Sequence, residues 1–329
     1  MALLALAAIA CFMAWNYVSS AYDGSQAVRI NIPSGASTAE VKSLLKESLG
    51  DGFGGKVATL WEKQGGNPTT AHGSYVVEPG EKAMMVARGI LLGRQTPIRL
   101  TYNNLRTFEQ LAARVGTVLE LDSASFVAAA DSLLPQAGFT DRRQYAAAFL
   151  PDTYEFYWTT DSAAVVSKLL KAYTSFWNEN RLAKAAELGF TPTEVSTLAS
   201  IVEEETNKAD ERPLVARLYL NRLSRKMPLQ ADPTVKFALG DFSLRRISGE
   251  HLKIESPYNT YKNPGLPPGP IRIAEASAID AVLDAPMHNY LYMCAKSDFS
   301  GYHDFAETYS RHRINSARYH MALNRRGIR

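Results

Sequence analysis

The chain has 329 residues, of which 46% are hydrophobic and 21% charged, a composition typical of a globular protein with room for two or three domains. The formal net charge is only +3, so a nucleic-acid-binding function is not favoured and none is predicted. The two cysteines, Cys11 and Cys294, have no partners at ligand spacing, which argues against a disulfide framework and a zinc site.

The N-terminus is apolar and free of charge. Residues 1–22 contain no charged side chain, and Ala2 to Val18 would form a helix about 26 Å long. This length is close to the lower limit for crossing a bilayer. The segment is therefore predicted to be a membrane anchor, with the rest of the chain outside the cytoplasm. The alternative is a cleaved signal peptide that ends near Ser19–Ala21, although no basic residue precedes its apolar part.

Residues 27–102 are predicted to form a small α+β module. Its strands are indicated by alternating apolar and polar residues, and its first helix by the capping box that Ser37 forms with Glu40. The glycine-rich segment 50–55 is predicted to end that helix. The predicted elements are strand 28–32, helix 37–49, strand 74–77, helix 82–92 and strand 97–102.

Residues 103–329 are predicted to form a larger mixed α+β domain. Helical periodicity dominates its first part, and three loop-rich segments follow, which are Gln230–Thr234, Ser256–Tyr261 and Gly265–Ile271. The predicted helices are 107–115, 125–134, 141–149, 161–177, 191–205, 213–223, 273–284 and 308–325, with strands near 150–157 and at 289–295.

Glu205 is the leading candidate for proton transfer. Thr191 and Glu194 form a capping box with Pro192 in the first turn, which fixes the start of a helix. Glu205 follows Leu198 by seven residues and so falls on the same helical face. A carboxyl on an apolar face is poorly solvated, and this raises its pKa as a general acid near neutral pH requires. The alternative is that Glu205 is only the first solvated residue at the helix end.

Two further segments could line a substrate site. Asp232 precedes Pro233 and could pair with Glu205 as the two carboxylates of a glycosidase, although on local grounds an Asx turn that starts a loop explains it better. The segment Ser256–Ile271 has five prolines and two glycines, so it can be stiff without a core of its own. Its aromatic and amide side chains suit a sugar-binding wall, or else the segment only packs over the domain edge.

Other kinds of site are not indicated. His303 and His312 have no acidic partner at ligand spacing, and three consecutive glutamates face three directions on a helix. No phosphate-binding glycine loop follows a strand, and no serine or cysteine occupies a nucleophile motif. No metal or cofactor is therefore predicted.

Several ordered motifs resemble those of the endolytic murein transglycosylase family, the YceG-like proteins. The match covers roughly residues 74–315, and several motifs of six or more residues in one order make coincidence improbable. These motifs are Pro151-Asp-Thr-Tyr-Glu-Phe156, Ile201-Val-Glu-Glu-Glu-Thr206, Glu211-Arg-Pro-Leu-Val-Ala216 with Asn221-Arg-Leu223, Leu229-Gln-Ala-Asp-Pro-Thr234, Ser256-Pro-Tyr-Asn-Thr-Tyr261 and Gly265-Leu-Pro-Pro-Gly-Pro270.

The resemblance implies an architecture and a catalytic residue. It implies an N-terminal transmembrane helix (1–22), a LysM-like peptidoglycan-binding module (27–102) and a YceG-like catalytic domain (103–329) on the extracytoplasmic side of the plasma membrane. The catalytic glutamate corresponds to Glu205, and Glu204 stands where relatives often have lysine. The residues it implies as substrate contacts are Glu203, Asp232, Thr234, Tyr258, Asn259 and Tyr261.

The implied reaction cleaves the bond between N-acetylmuramic acid and N-acetylglucosamine without water and leaves a 1,6-anhydro end. Two other functions stay open, which are a hydrolytic muramidase using Glu205 with Asp232 and a membrane-tethered peptidoglycan-binding module without turnover. The implied partners are peptidoglycan glycan strands, the membrane and enzymes of cell-wall synthesis.

Overall fold

The computed structural model describes residues 15–244 and 246–327. The chain divides into two compact units. The first comprises Met1–Leu100 together with Ala113–Phe126 and Thr153–Val165, and the second takes the remainder. The first change of unit lies close to the predicted boundary after residue 102. The two later segments of the first unit have no counterpart in the prediction, because helical periodicity does not reveal which unit a helix joins.

Most of the predicted membrane anchor, residues 1–14, lies outside the described residues, and so does Cys11. Within the described ranges, no helix is both long and apolar enough to cross a bilayer.

The described part of the first unit contains four helices between residues 28 and 91, which pack with a two-stranded antiparallel sheet. The strands pair from Val28 opposite Val77 to Ile32 opposite Gly73, and their buried side chains join a core with the helices. The elements are β1 (Val28–Ile32), α1 (Thr38–Leu49), α2 (Asp51–Lys63), α3 (Pro68–Ala71), β2 (Gly73–Val77) and α4 (Ala83–Leu91). The two predicted strands and the predicted helices of this segment are thereby confirmed.

The prediction that residues 50–55 form a glycine-rich stop is wrong after its first residue. Gly50 ends α1 with a φ of 80°, but α2 begins at once with Asp51. A Cβ on Gly54 would lie 2.2 Å from the carbonyl oxygen of Leu45, so this glycine allows α1 and α2 to approach closely. Gly54 serves helix packing here, and composition alone does not distinguish that role from a loop.

Five elements have residues in both units, since the chain changes unit within each of them. They are β3 (Ile98–Tyr102), α5 (Phe108–Val118), α6 (Ser123–Leu133), β4 (Asp152–Phe156) and α7 (Ser162–Phe176). A 3-10 helix, Arg142–Ala148, replaces the α-helix predicted for residues 141–149.

The second unit is built around one central helix, α9. Its elements are α8 (Glu179–Leu188), α9 (Pro192–Glu205), α10 (Arg212–Ser224), α11 (Asp232–Leu239), α12 (Ala276–Leu283), β5 (Tyr292–Ala295), β6 (His303–Ala306) and α13 (Tyr309–Arg325). Helix α9 contacts α8, α10, α11 and α12. Strands β5 and β6 pair antiparallel, from Tyr292 opposite Ala306 to Ala295 opposite His303.

The predicted start of α9 is confirmed in detail. The Thr191 side chain accepts a hydrogen bond from the Glu194 amide, and the Glu194 carboxylate accepts one from the Thr191 amide. Leu198, Ile201 and Val202 are fully buried and belong to the main core of the unit. A helix enclosed by four others delivers its last residue, Glu205, to a fixed place.

The segment predicted as a loop around Asp232 instead opens α11. Pro233 lies in the first turn, a position where its missing amide costs nothing, and the helix ends at Gly240 in a left-handed conformation. The residue before the helix is Ala231, which offers no side-chain cap. The usual N-terminal signal is therefore absent from the sequence.

Candidate active site

The C-terminal end of α9 lines a cavity in the second unit. Residues of α10, α11, β5, β6 and α13 line the same cavity. Its volume is about 360 Å³. Side chains with carboxylate, phenol, guanidinium and imidazole groups line much of its wall. Its lining residues are Glu205, Leu218, Tyr219, Arg222, Gln230, Asp232, Tyr261, Tyr292, Met293, Cys294, Ala295, His303, Tyr309 and His312.

Glu205 lies in the wall of this cavity, and its surroundings favour the protonated form of its carboxyl group. The Tyr219 hydroxyl donates a hydrogen bond of 2.7 Å to its Oε1. Burial is the main cause that raises the pKa of Glu205 to about 7. The bond from Tyr219 lowers the pKa, the charge of Asp232 raises it, and His303 and Lys236 lower it. A carboxyl with this pKa is divided between its acid and base forms near neutral pH.

Asp232 lies in the same cavity as Glu205, and Tyr261 holds it in place. The Tyr261 hydroxyl donates a hydrogen bond of 2.6 Å to Oδ1 of Asp232. The pKa of Tyr261 is raised, first by burial and then by this hydrogen bond and the carboxylate charge. The phenol therefore keeps its proton and continues to donate to Asp232.

His303 contributes an imidazole that a buried carboxylate orients. Nδ1 of His303 lies 2.8 Å from Oε2 of Glu211, and the His303 amide donates to Oε1 of the same carboxylate at 2.7 Å. The Thr206 hydroxyl donates to Oε2 of Glu211 at 2.9 Å. Thr206 directly follows Glu205, so this cluster also fixes the end of α9.

The chain matches the model of the YceG-like family over residues 30–318. It belongs to the YceG-like family.

Relatives of this YceG-like protein carry a common name. It is 29% identical over 319 residues to an endolytic murein transglycosylase of Bacillus subtilis (strain 168), across 92% of this chain and 87% of that protein. An endolytic murein transglycosylase of Streptococcus pneumoniae serotype 2 is 32% identical over 157 residues, which is 44% of this chain and 27% of that protein.

A solved structure has the same fold. The crystal structure of a yceG-like protein from Listeria monocytogenes superposes with a TM-score of 0.60 at 24% identity, covering 88% of this chain and 99% of that chain. The mixed α+β architecture of this YceG-like protein is thereby supported independently of any single motif.

Glu203, predicted as a substrate contact, lies instead in the protein interior. It is 3% exposed, pairs with Arg272 at 2.9 Å and accepts a 2.9 Å hydrogen bond from the Glu275 amide. Glu204 pairs with Arg272 at 2.8 Å and with Arg106 at 2.7 Å. The two glutamates that precede Glu205 thus tie α9 to neighbouring segments, and neither lines the cavity.

Asn259 and Thr234, also predicted as substrate contacts, are fully buried. The Asn259 amide donates to the carbonyls of Leu252 and Ile254, both at 2.9 Å, and its oxygen accepts from the Tyr261 amide. The prediction that Asn259 lines the cavity beside Glu205 is therefore wrong for this structure. The side chain of Asn259 forms its hydrogen bonds with backbone groups of its own loop. These bonds fix the shape of the loop, in which Tyr261 reaches Asp232.

The hydroxyl of Thr234 is used inside the protein. It donates to the Ala231 carbonyl at 2.7 Å and lies 2.8 Å from the Thr260 hydroxyl. This bond links the first turn of α11 to the proline-rich loop. Thr234 supports the wall of the cavity from behind.

Tyr258 lines a second cavity of the second unit, which is separate from the cavity that Glu205 lines. This cavity has a volume of about 340 Å³ and includes Arg106, Arg143 and Phe237. The ring of Tyr258 packs 4.7 Å from that of Phe237, centroid to centroid. Of the six predicted substrate contacts, the structure brings Asp232 and Tyr261 to Glu205.

Sequence reasoning missed Tyr219, Arg222 and His303 as site residues. Tyr219 follows Val215 by four residues and precedes Arg222 by three, so the three residues lie on one face of α10, and all three are buried. That signal could have placed them near α9. His303 had no such signal, because β6 was not predicted.

Proposed function

We propose that this protein is a peptidoglycan lytic transglycosylase that cleaves within glycan strands. The observation that carries the proposal is Glu205, a carboxyl in the cavity wall that accepts a hydrogen bond from Tyr219 and whose pKa is raised to about 7. The relatives named endolytic murein transglycosylases support the same reaction class. The bond cleaved joins C1 of N-acetylmuramic acid to O4 of N-acetylglucosamine.

Glu205 serves both proton transfers of this reaction. As an acid, it donates its proton to O4 while the C1–O4 bond breaks. As a carboxylate, it then takes the proton of the muramic acid C6 hydroxyl, whose oxygen bonds to C1 and closes the 1,6-anhydro ring. The proton balance closes on one residue, so the enzyme regains its starting state without water.

Tyr219 and Asp232 assist Glu205 in different ways. The hydroxyl of Tyr219 occupies Oε1 of Glu205, which leaves Oε2 to carry the proton toward the sugar. The transition state resembles an oxocarbenium ion, and the negative charge of Asp232 in the same cavity stabilises positive charge that develops at C1. Tyr261 holds Asp232 for this task.

A hydrolytic muramidase is the second candidate, because Asp232 and Glu205 line one cavity. In that reaction Asp232 acts as a base and activates a water that attacks C1, while Glu205 protonates O4. The two reactions share their first proton transfer and differ in the nucleophile, so their products differ in the muramic acid end.

The catalytic proposal is tested against a binding module without turnover by changing Glu205→Gln. The amide keeps the shape of the side chain and cannot donate the proton, so strands should still bind while release of new chain ends stops. Strand binding is measured by sedimentation with isolated strands, and chain ends by chromatography with mass spectrometry. A wild-type protein that releases no new ends would leave only the binding function.

We further propose that residues 1–22 anchor the enzyme in the plasma membrane, with both units on the extracytoplasmic side. The absence of charged side chains from these residues supports this. In that location the enzyme would terminate or trim nascent strands beside the cell-wall synthesis enzymes, with the LysM-like module (27–102) holding the strand. Removal of residues 1–22 should move the protein from the membrane fraction to the aqueous fraction. Retention in the membrane would contradict the anchor.

A further inference from the structure

The cavity beside Glu205 contains a buried guanidinium group without an anionic partner. Arg222, in helix α10, is 8% exposed. Its Nη2 donates one hydrogen bond, of 2.7 Å, to the amide oxygen of Gln230. Its Nε is buried without a hydrogen-bond partner, and within the described part of the chain it forms no salt bridge. Burial lowers the pKa of Arg222, yet an arginine keeps its charge.

A second unsatisfied polar atom lies in the same wall. Nδ1 of His312, in helix α13, is buried without a partner. The rings of His312 and Tyr292 stack with centroids 5.4 Å apart, and the Arg222 guanidinium lies 5.7 Å from the Tyr292 centroid. Burial and the charge of Arg222 both lower the pKa of His312, which keeps the imidazole neutral and able to donate or accept one hydrogen bond.

Leaving these groups unsatisfied is costly for the folded protein. A buried charge without a partner opposes folding, and each buried polar atom without a hydrogen bond adds to that cost. Other buried charges of the unit have partners, as Glu203 has in Arg272 and Glu211 in His303. The absence of a partner at Arg222 therefore singles out the position where a ligand can supply the anion.

The geometry restricts the kind of ligand. The planar guanidinium group suits a carboxylate, to which it can donate two parallel hydrogen bonds. Because Arg222 and Glu205 line one cavity of about 360 Å³, a carboxylate bound by Arg222 would belong to a sugar close to the cleaved bond. N-acetylglucosamine is neutral, whereas muramic acid carries a lactyl group on O3 from which the acidic groups of the polymer extend.

We propose that Arg222, supported by Gln230 and His312, forms a subsite for a carboxylate on the O3 substituent of muramic acid. The inference rests on the proposed function and adds to it a basis for substrate selection. Two sources share this chemistry. One is the lactyl carboxylate of strands without peptides, and the other is a carboxylate of the stem peptide where the lactyl group is in amide linkage.

The test compares three strand preparations, which are strands with stem peptides, strands stripped of peptides, and stripped strands whose lactyl carboxylates have been converted to neutral amides. The measured quantity is the ratio of kcat/KM for each acidic strand to that for the neutral strand. The wild-type enzyme should prefer at least one acidic strand by about tenfold or more, the size of a charged hydrogen bond. The preferred strand identifies the source of the carboxylate.

Arg222→Gln should bring this ratio of kcat/KM values to within a factor of about three of one, because the charge that binds the carboxylate is gone. Arg225→Gln is the matched control, because Arg225 is exposed just after the same helix, and it should retain the wild-type preference. Arg222→Lys keeps the charge but lacks the planar guanidinium group, so it should retain only part of the preference for the acidic strand.

If Arg222→Gln is inactive on every strand, the same ratio is measured as dissociation constants in the Glu205→Gln background. A wild-type enzyme without preference, an Arg222→Gln variant that keeps it, or an Arg225→Gln variant that loses it would overturn the subsite. The chemical form of the new chain ends is read in the same wild-type reactions. Reducing ends would refute the transglycosylase and leave the strand ratio interpretable.

Discussion

Removing the Tyr219 hydroxyl should move the pH at which the enzyme loses activity. Glu205 must be protonated to donate to O4, so kcat/KM should fall as the pH rises through its pKa of about 7. The hydrogen bond from Tyr219, 2.7 Å long, stabilises the ionised carboxylate and lowers the pKa. Tyr219→Phe should therefore raise the pKa of Glu205.

The size of this change follows from the strength of the bond. A hydrogen bond to a charged group contributes about 1.5–3 kcal/mol, and one pKa unit corresponds to about 1.4 kcal/mol. The alkaline limb of the pH profile should shift upward by about one to two pH units. At pH 8 the active fraction should then rise from about a tenth of the plateau to about a half or more, whatever the plateau itself becomes.

The assay measures kcat/KM on isolated glycan strands from about pH 5 to pH 9, with new chain ends counted by chromatography. Tyr261→Phe is the control, because that hydroxyl donates to Asp232, and its limb should shift much less. An alkaline limb that stays in place in Tyr219→Phe, or moves downward, would refute the role given to this hydrogen bond.

Three further predictions concern stability. Glu205 has a folded pKa of about 7 against an ordinary value of 4.5, so the stability it contributes is complete below pH 4.5 and is lost as the pH rises through 7. Glu205→Gln should therefore stabilise the protein at pH 8 by up to about 3 kcal/mol relative to wild type and little at pH 4.5; equal effects at both pH values in urea unfolding would contradict this. Arg272→Met should lower the free energy of unfolding by about 3–5 kcal/mol, because it leaves Glu203 buried without its cation. Adding Glu203→Gln should recover part of the loss, and a purely additive double variant would argue against the pairing. Gly54→Ala should destabilise the first unit, since its Cβ would lie 2.2 Å from a backbone oxygen of α1. The control Gly52→Ala meets nothing within 4 Å and should raise the thermal midpoint, so the reverse order of midpoints would contradict the packing of α1 on α2.

The start of α9 and the place of Glu205 on its apolar face could be read from local patterns, because capping and helical periodicity act within a few residues. The same periodicity gave a wrong expectation for Glu203. It placed Glu205 on the apolar face and Glu203 on another face, whereas the structure leaves Glu203 only 3% exposed. Arg272, far along the chain, provides the partner that allows this burial, and no local pattern reports such a partner.

The proline-rich loop shows a second limit of sequence reasoning. Asn259 and Tyr261 both suit sugar recognition by residue type, and only the structure distinguishes them. Asn259 forms its hydrogen bonds with backbone groups of its own loop, whereas the Tyr261 hydroxyl donates a hydrogen bond to Asp232 in the cavity. Likewise, α11 begins without a capping side chain, so Asp232 could be predicted as a site residue but not as part of a helix.

In the proposed mechanism Glu205 takes the proton of the C6 hydroxyl, whose oxygen bonds to C1, so that no water enters the product. The most direct measurement is the mass of the new muramic acid ends after digestion in water enriched in heavy oxygen. The mechanism predicts 1,6-anhydro ends that carry no heavy oxygen and are lighter than reducing ends by one water. Reducing ends labelled at C1 would contradict it and would assign the attack to a water molecule.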